Sequence, residues 1–180
     1  PVWKRVLQTA AVILLMLSLG LGSVMLASPT ARATIVRWVT EWYETHIVFR
    51  YAGEDAPGEM PRYELGELPE GFVENLESQF VGTGMTAHFY ENEKGDVILF
   101  EYIYMQQGSL SGVNTENAYV ISVIVNDCEG LLVIPKEEDS NSMLMWLDPE
   151  HDLQFTLDAP LGQEDILHIA ESVHLVETMK

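Results

Sequence analysis

Apolar positions along this chain are arranged in three ways: one unbroken run, a helical stripe, and a series of short alternating segments. Val6 to Ala31 contains no charged residue, and its apolar core, Val6 to Ala27, lies directly behind Lys4 and Arg5. At about 1.5 Å per helical residue, the 22 residues of that core reach roughly 33 Å, enough to cross a hydrocarbon layer of about 30 Å. The pattern predicts a transmembrane anchor over residues 1–28. Gly20 and Gly22 interrupt the run without ending it, since glycine is common in membrane helices. Their two-residue spacing does not match the four-residue dimerisation pattern. A cleaved signal peptide shares the basic start and apolar core, and Ala31-Arg32-Ala33 has the small-x-small form read by signal peptidase. Signal-peptide apolar regions span roughly 7 to 15 residues, so length favours the anchor. A buried soluble helix is the third reading.

Behind the run, Ser28 and Pro29 form a helix start signal, with serine as cap and proline at the first helical position. Ile35, Trp38, Val39, Trp42 and Tyr43 recur at three- and four-residue spacing between Arg32, Arg37, Glu41 and Glu44. This predicts an amphipathic juxtamembrane helix over 29–45. Two dispositions are open to its stripe: the headgroup layer, where tryptophan is favoured, or the following domain.

From residue 46 strand signals dominate. His46 to Ala52 reads as a first strand and Gly53 to Pro61 as a loop. Met85 to Asn92 and Val97 to Met105, joined by Glu93-Lys94-Gly95-Asp96, predict a hairpin. Gln106 to Gly112 reads as a polar connection. Tyr119 to Val125 and Leu131 to Pro135 flank a turn around Cys128, and Ser142 to Asp148 and Leu153 to Asp158 complete the set. A helix is predicted from Gln163 to Val173, with Ile166, Ile169, Ala170 and Val173 in one stripe. Glu164 and Asp165 in its first turn, and His174 at its other end if protonated, suit the helix dipole. The expected fold class is α+β: a mainly antiparallel sheet with the C-terminal helix on one face, spanning 46–180.

Charge changes the picture from shape to topology. Residues 1–60 hold five basic and five acidic side chains, so the whole net charge of −19 falls in residues 61–180, where four basic residues face 23 acidic ones. Such a domain repels nucleic acid and anionic lipid. Lys4 and Arg5 place the N-terminal end in the cytoplasm and the acidic domain outside, with Arg32 and Arg37 weakening that bias. Cys128 is the sole cysteine, so no intrachain disulfide forms. About 120 residues suffice for a core without one.

Candidate chemistry is sparse. His46, His88, His151, His168 and His174 pair with no other histidine or cysteine at metal-ligand spacing, and a zinc site needs three or four convergent ligands. Nearby acids raise rather than lower the thiol of Cys128. Glu137-Glu138-Asp139-Ser140-Asn141-Ser142 offers oxygens but lacks the glycine and terminal glutamate of a calcium loop. There is no Gly-x-Ser-x-Gly elbow; Gly108-Ser109-Leu110-Ser111-Gly112 reads as a flexible linker, and Gly82-Thr83-Gly84 lacks the rest of a nucleotide loop. No catalytic residue, cofactor or metal is therefore expected.

Trp42-Tyr43-Glu44-Thr45-His46, the stretch Leu-Gly-Glu-Leu-Pro-Glu-Gly-Phe from Leu65 to Phe72, and Ile-Leu-His-Ile-Ala-Glu-Ser-Val from Ile166 to Val173 carry a resemblance. Together they resemble single-pass membrane proteins of Gram-positive bacteria that carry domain of unknown function 4367. The resemblance implies a membrane helix, a juxtamembrane segment, a β-rich body with a late tryptophan strand at Met143 to Leu147, and a C-terminal helix. It brings no catalytic residues. Members of such families are similar in layout to anti-sigma factors, which have a cytoplasmic sigma-binding part, one span and an external sensor.

The expectation is a non-enzymatic, membrane-anchored extracytoplasmic domain for sensing or binding. Its partners would be the bilayer through Val6 to Ala27, a protein or envelope ligand outside, and a cytoplasmic regulator through sequence ahead of Pro1. Two other classes stand beside it: a surface hydrolase or metal-dependent enzyme using carboxylates with His88 or His151, and a structural or assembly protein of the envelope.

Overall fold

A computed structural model describes residues 38–42, 45–51, 60–106, 110–137 and 140–176. The run Val6 to Ala27, and with it the expected membrane helix, lies outside the described residues. Among the described residues no helix is long and apolar enough to cross a membrane.

The chain order is β1 (Trp38–Trp42), β2 (His46–Tyr51), β3 (Tyr63–Glu64), β4 (Val73–Glu74), β5 (Phe80–Val81), β6 (Met85–Glu91), β7 (Val97–Tyr104) and β8 (Leu110–Asn114). It continues with β9 (Ala118–Val125), β10 (Cys128–Pro135), β11 (Ser142–Asp148), β12 (Leu153–Ala159), α1 (Gln163–Glu171) and β13 (His174–Leu175). The main sheet runs β4-β6-β7-β12-β11-β10-β9, with β5 also on β6, and every pairing is antiparallel. β1-β2-β8 form a second sheet, and β3 pairs with β13. The antiparallel sheet and single C-terminal helix agree with the expected class.

Alternation places the core. In β7, Ile98, Phe100, Tyr102 and Tyr104 are buried on one face. They join Leu144 and Trp146 of β11, Leu153, Phe155, Leu157 and Ala159 of β12, and Ile166, Ile169 and Ala170 of α1 in the principal core. Over the opposite face lie β2 and β8. Ile47, Phe49 and Val113 pack with Val133 of β10 and Met145 of β11, while Tyr51 packs with Met105 and Leu147. The central strand β12 is accordingly buried on both faces from Leu153 to Leu157. Burial on both faces makes a strand read as a continuous run instead of an alternation.

Four local expectations are corrected. The juxtamembrane helix over 29–45 is not what forms at Trp38–Trp42, which is strand β1, paired from Trp38↔Tyr51 to Trp42↔Ile47. Tryptophans four apart share a face in a strand as well as in a helix, and the ladder to the β-branched β2 decides between them. Leu110 to Gly112, read as connection, belong to β8 because β2 supplies a partner, Val48↔Gly112, remote in sequence. Cys128 opens β10 instead of sitting in the turn. The helix ends at Glu171, and His174 lies in β13 beyond it.

The β9–β10 turn is the pair Asn126 and Asp127, with φ of 47° and 66°. Left-handed backbone at both central residues is the type I′ geometry that matches strand twist, and it favours Asn-Gly. Asp127→Gly should therefore stabilise the chain by about 0.5–1 kcal/mol, read as a rise in the denaturation midpoint with an unchanged slope.

Candidate functional site

Among the described residues, a fully buried side chain capable of proton chemistry is His88, only 1% exposed. Strand parity puts it there. In β6, His88 opposes Phe100 and Tyr90 opposes Ile98 on the core-facing side of β7, so the imidazole enters an aromatic cluster. Ring centroids of Phe100, Tyr102 and Tyr90 lie 6.0, 6.3 and 6.5 Å away at shallow interplanar angles.

Two short elements bring polar partners to its rim. β4 pairs with the end of β6, Glu74↔Tyr90, and Glu74 Oε1 lies 2.9 Å from His88 Nδ1. The chain then turns back on Asn75, whose Oδ1 accepts the backbone N–H of Glu77 and of Ser78. This turn delivers Gln79, whose amide lies 3.0 Å from the same Nδ1. The neighbours ask for opposite states: a carboxylate needs Nδ1 protonated, an amide N–H needs it bare. The charge-assisted bond to Glu74 is the stronger, which favours the proton on Nδ1. Nε2 is enclosed and without a hydrogen-bond partner. A general acid or base must reach its substrate within hydrogen-bond distance or through one water.

The same region suppresses phenol ionisation. Burial pushes the Tyr63 hydroxyl up to about 12, with Asp148 adding to it. Burial, then Glu74 and Glu64, push Tyr90 up as well. Tyr104 is raised by burial and Asp152. All three stay neutral; the hydroxyl of Tyr102 accepts the Tyr63 backbone N–H at 3.1 Å.

The remaining histidines each meet a separate carboxylate or a local group. His151 Nδ1 lies 2.7 Å from Asp148 Oδ2 in the exposed turn between β11 and β12. His168, on the exposed side of α1, reaches Glu67 at 2.7 Å. His46 lies beside Thr45, and His174 beside the Ser172 carbonyl. The structure thus gives His88 and His151 different partners. Among the described residues no three histidine, cysteine, aspartate or glutamate side chains converge as metal ligands. The acidic run at 137–142 and the serines around 108–112 fall partly outside the described residues. Cys128 is half-buried, and its thiol is pushed up first by burial, then by Asp148, Asp127 and Glu150. The sequence had pointed to the acids; burial is the larger cause.

Glu101 is a polar group the sequence did not single out. It lies on the face of β7 away from the helix, between Ala87 of β6 and Thr156 of β12, and burial alone raises its carboxyl. A carboxyl raised in the folded state costs stability as pH climbs from the ordinary carboxylate range through the folded value, and costs nothing below that range. Glu101→Gln should therefore raise stability at neutral pH, by an amount reduced by the partial solvent exposure of the site, and change nothing near pH 3, as thermal melts of both proteins across pH would show.

The segment between these sites is held by the helix end. The Gly66 N–H donates to the Ser172 carbonyl at 3.1 Å, and the Glu67 N–H to Ser172 Oγ at 3.1 Å. Pro69 to Phe72 form a turn closed by the Phe72 N–H on the Pro69 carbonyl, with Gly71 at φ 87°. A positive φ at the third position of such a turn requires glycine.

Comparison with known proteins gives one match: a family model described as "Domain of unknown function (DUF4367)" covers residues 62–173. Neither curated proteins nor solved structures give a match.

Proposed function

The chain belongs to the family of domain of unknown function DUF4367, and from that premise we propose that it is a membrane-anchored, extracytoplasmic binding or sensory domain without catalytic activity, laid out like an anti-sigma regulator. The observation that carries this reading is the partition of the sequence: a charge-free apolar core of 22 residues precedes a domain that holds the entire net charge of −19. Length favours a retained span over a cleaved leader, and Lys4 and Arg5 favour a cytoplasmic start.

The test is fractionation and protease shaving of Gram-positive cells producing the full chain with a C-terminal epitope. The epitope should stay with membranes in alkaline carbonate and be lost when intact cells meet external protease. Release by carbonate, or protection until the cells are lysed, would overturn the reading.

A further inference from the structure

Among the described residues, the main sheet ends in a strand without the devices that blunt an exposed edge. β9 reads Ala-Tyr-Val-Ile-Ser-Val-Ile-Val over Ala118–Val125, with no charge, proline or glycine. It pairs with β10 in unbroken register from Cys128↔Val125 to Pro135↔Ala118, so no bulge twists it away. Among the described residues no strand lies on its other side. Tyr119 and Ile124 are 61% and 58% exposed. Natural sheets protect such edges with lysine, proline, bulges or covering segments. An uncharged edge in a chain with 28 acidic residues is therefore a site built for pairing.

Register identifies the free groups. The two-residue turn makes Val125 and Cys128 a hydrogen-bonded pair, and the Lys136 N–H on the Asn117 carbonyl, 2.8 Å, continues the same parity. Odd-numbered residues of β9 thus bond β10, while the N–H and C=O of Val120, Ser122 and Ile124 point outward.

Charge selects the occupant. Glu116 and Asp127 bracket the strand, Glu129 lies opposite Ile124, and Asn126 bonds the Glu171 carbonyl at the same end. Lys136 lies over the Tyr119 ring, 5.2 Å from its centroid. In an antiparallel pairing of two copies centred on Ser122, Asn117 of one copy faces Asp127 of the other, so Glu116 and Asp127 come together at both ends. Like charges opposed across strands destabilise the pair. An incoming strand with Lys or Arg on both flanks meets the opposite sign.

The geometry points to β9 as a strand-addition site for an extended segment of another polypeptide, with a β-branched core and basic flanks. Main-chain bonds to Val120, Ser122 and Ile124 would supply affinity, and the acids at the ends would supply selectivity. This deepens the binding role proposed above and names its partner class.

The test uses the full chain in detergent micelles and a fluorescent peptide, Lys-Lys-Thr-Val-Thr-Val-Thr-Lys-Lys, followed by anisotropy. Saturable binding is expected, weakened about tenfold or more when the lysines become glutamates. Methylation of alternate peptide backbone nitrogens should weaken it to a similar degree. Ser122→Pro, which removes an outward N–H, should do the same, with folding checked by thermal melting. Ile124→Lys, at an exposed position, provides a second variant. No binding, or binding indifferent to N-methylation and to both variants, overturns the site. So does a dimer that Ser122→Pro converts to monomer, since β9 would then pair with a second copy. These outcomes are independent of the shaving experiment: an exposed domain with an inert β9 fails only the site, and a protected domain that binds the peptide fails only the topology.

Discussion

Trp146→Ala should destabilise the chain by about 3–5 kcal/mol, the range for truncating a large aromatic in a packed core. Trp146 is 3% exposed and stacks on Phe155 with centroids 5.1 Å apart and planes 11° apart. Its cross-strand partner is a glycine. Gly130 faces Trp146 across the β10–β11 ladder, and a Cβ there would lie 2.8 Å from the Met145 carbonyl oxygen and 3.0 Å from Trp146 Cβ. The glycine permits this close approach of the two strands, and removal of the buried indole from its stack on Phe155 leaves a void in a packed core. For a chain of this length, each kcal/mol shifts the melting temperature by roughly 2–4 °C, so a fall on the order of 10 °C is expected. Trp146→Phe retains a ring on Phe155 and should lose well under half as much. A loss below about 1 kcal/mol for Trp146→Ala would show that the indole is not closing the core.

The elements that could be read from the sequence are those whose signal is local. Ser142 to Asp148 matched β11 end to end, and the β6–β7 hairpin was visible from alternation on both sides of Glu93 to Asp96. The stripe Ile166, Ile169 and Ala170 marked the helix and its buried face. What escaped depends on distant partners. Leu110 to Gly112 is a linker by composition and a strand only because β2 lies beside it. Trp38 to Trp42 satisfies two periodicities, and the ladder to β2 selects one. The two-residue strands β3, β4, β5 and β13 are too short to carry any pattern.

The candidate site divides in the same way. That His88 points inward was within reach, because alternation along Thr86, His88 and Tyr90 opposite Tyr102, Phe100 and Ile98 puts all six on one face. Its partners were not. Glu74 and Gln79 are two of many acids and amides in a chain with 28 acidic residues, and only the turn on Asn75 aims them at one nitrogen. The edge of β9 was hidden for a related reason: a run of β-branched residues reveals a strand, but sheet order alone reveals that nothing pairs with its far side.

Phe49→Ala should cost about 3–4 kcal/mol, although Phe49 precedes the family match at residues 62–173. The matched segment buries one face of its sheet with its own helix. Its other face is covered by β2 and β8: Phe49 is 8% exposed, Ile47 1% and Val113 5%, and they share a cluster with Val133 and Met145 of the main sheet. β2 comes from outside the matched region, so the folded unit begins earlier than the family boundary. Truncating Phe49 should therefore loosen the second sheet, expose Val133 and Met145, and increase binding of an apolar dye before global unfolding. A double-mutant cycle separates this from a generic core effect. Phe49→Ala and Met145→Ala act on one cluster, so their combined cost should fall short of the sum of the single costs by roughly 0.5 kcal/mol or more. Phe49→Ala with Leu157→Ala, which lies in the principal core on the helix side, should be additive. Additivity in the first pair would mean that β2 only rests on the sheet, and the domain would then be complete without it.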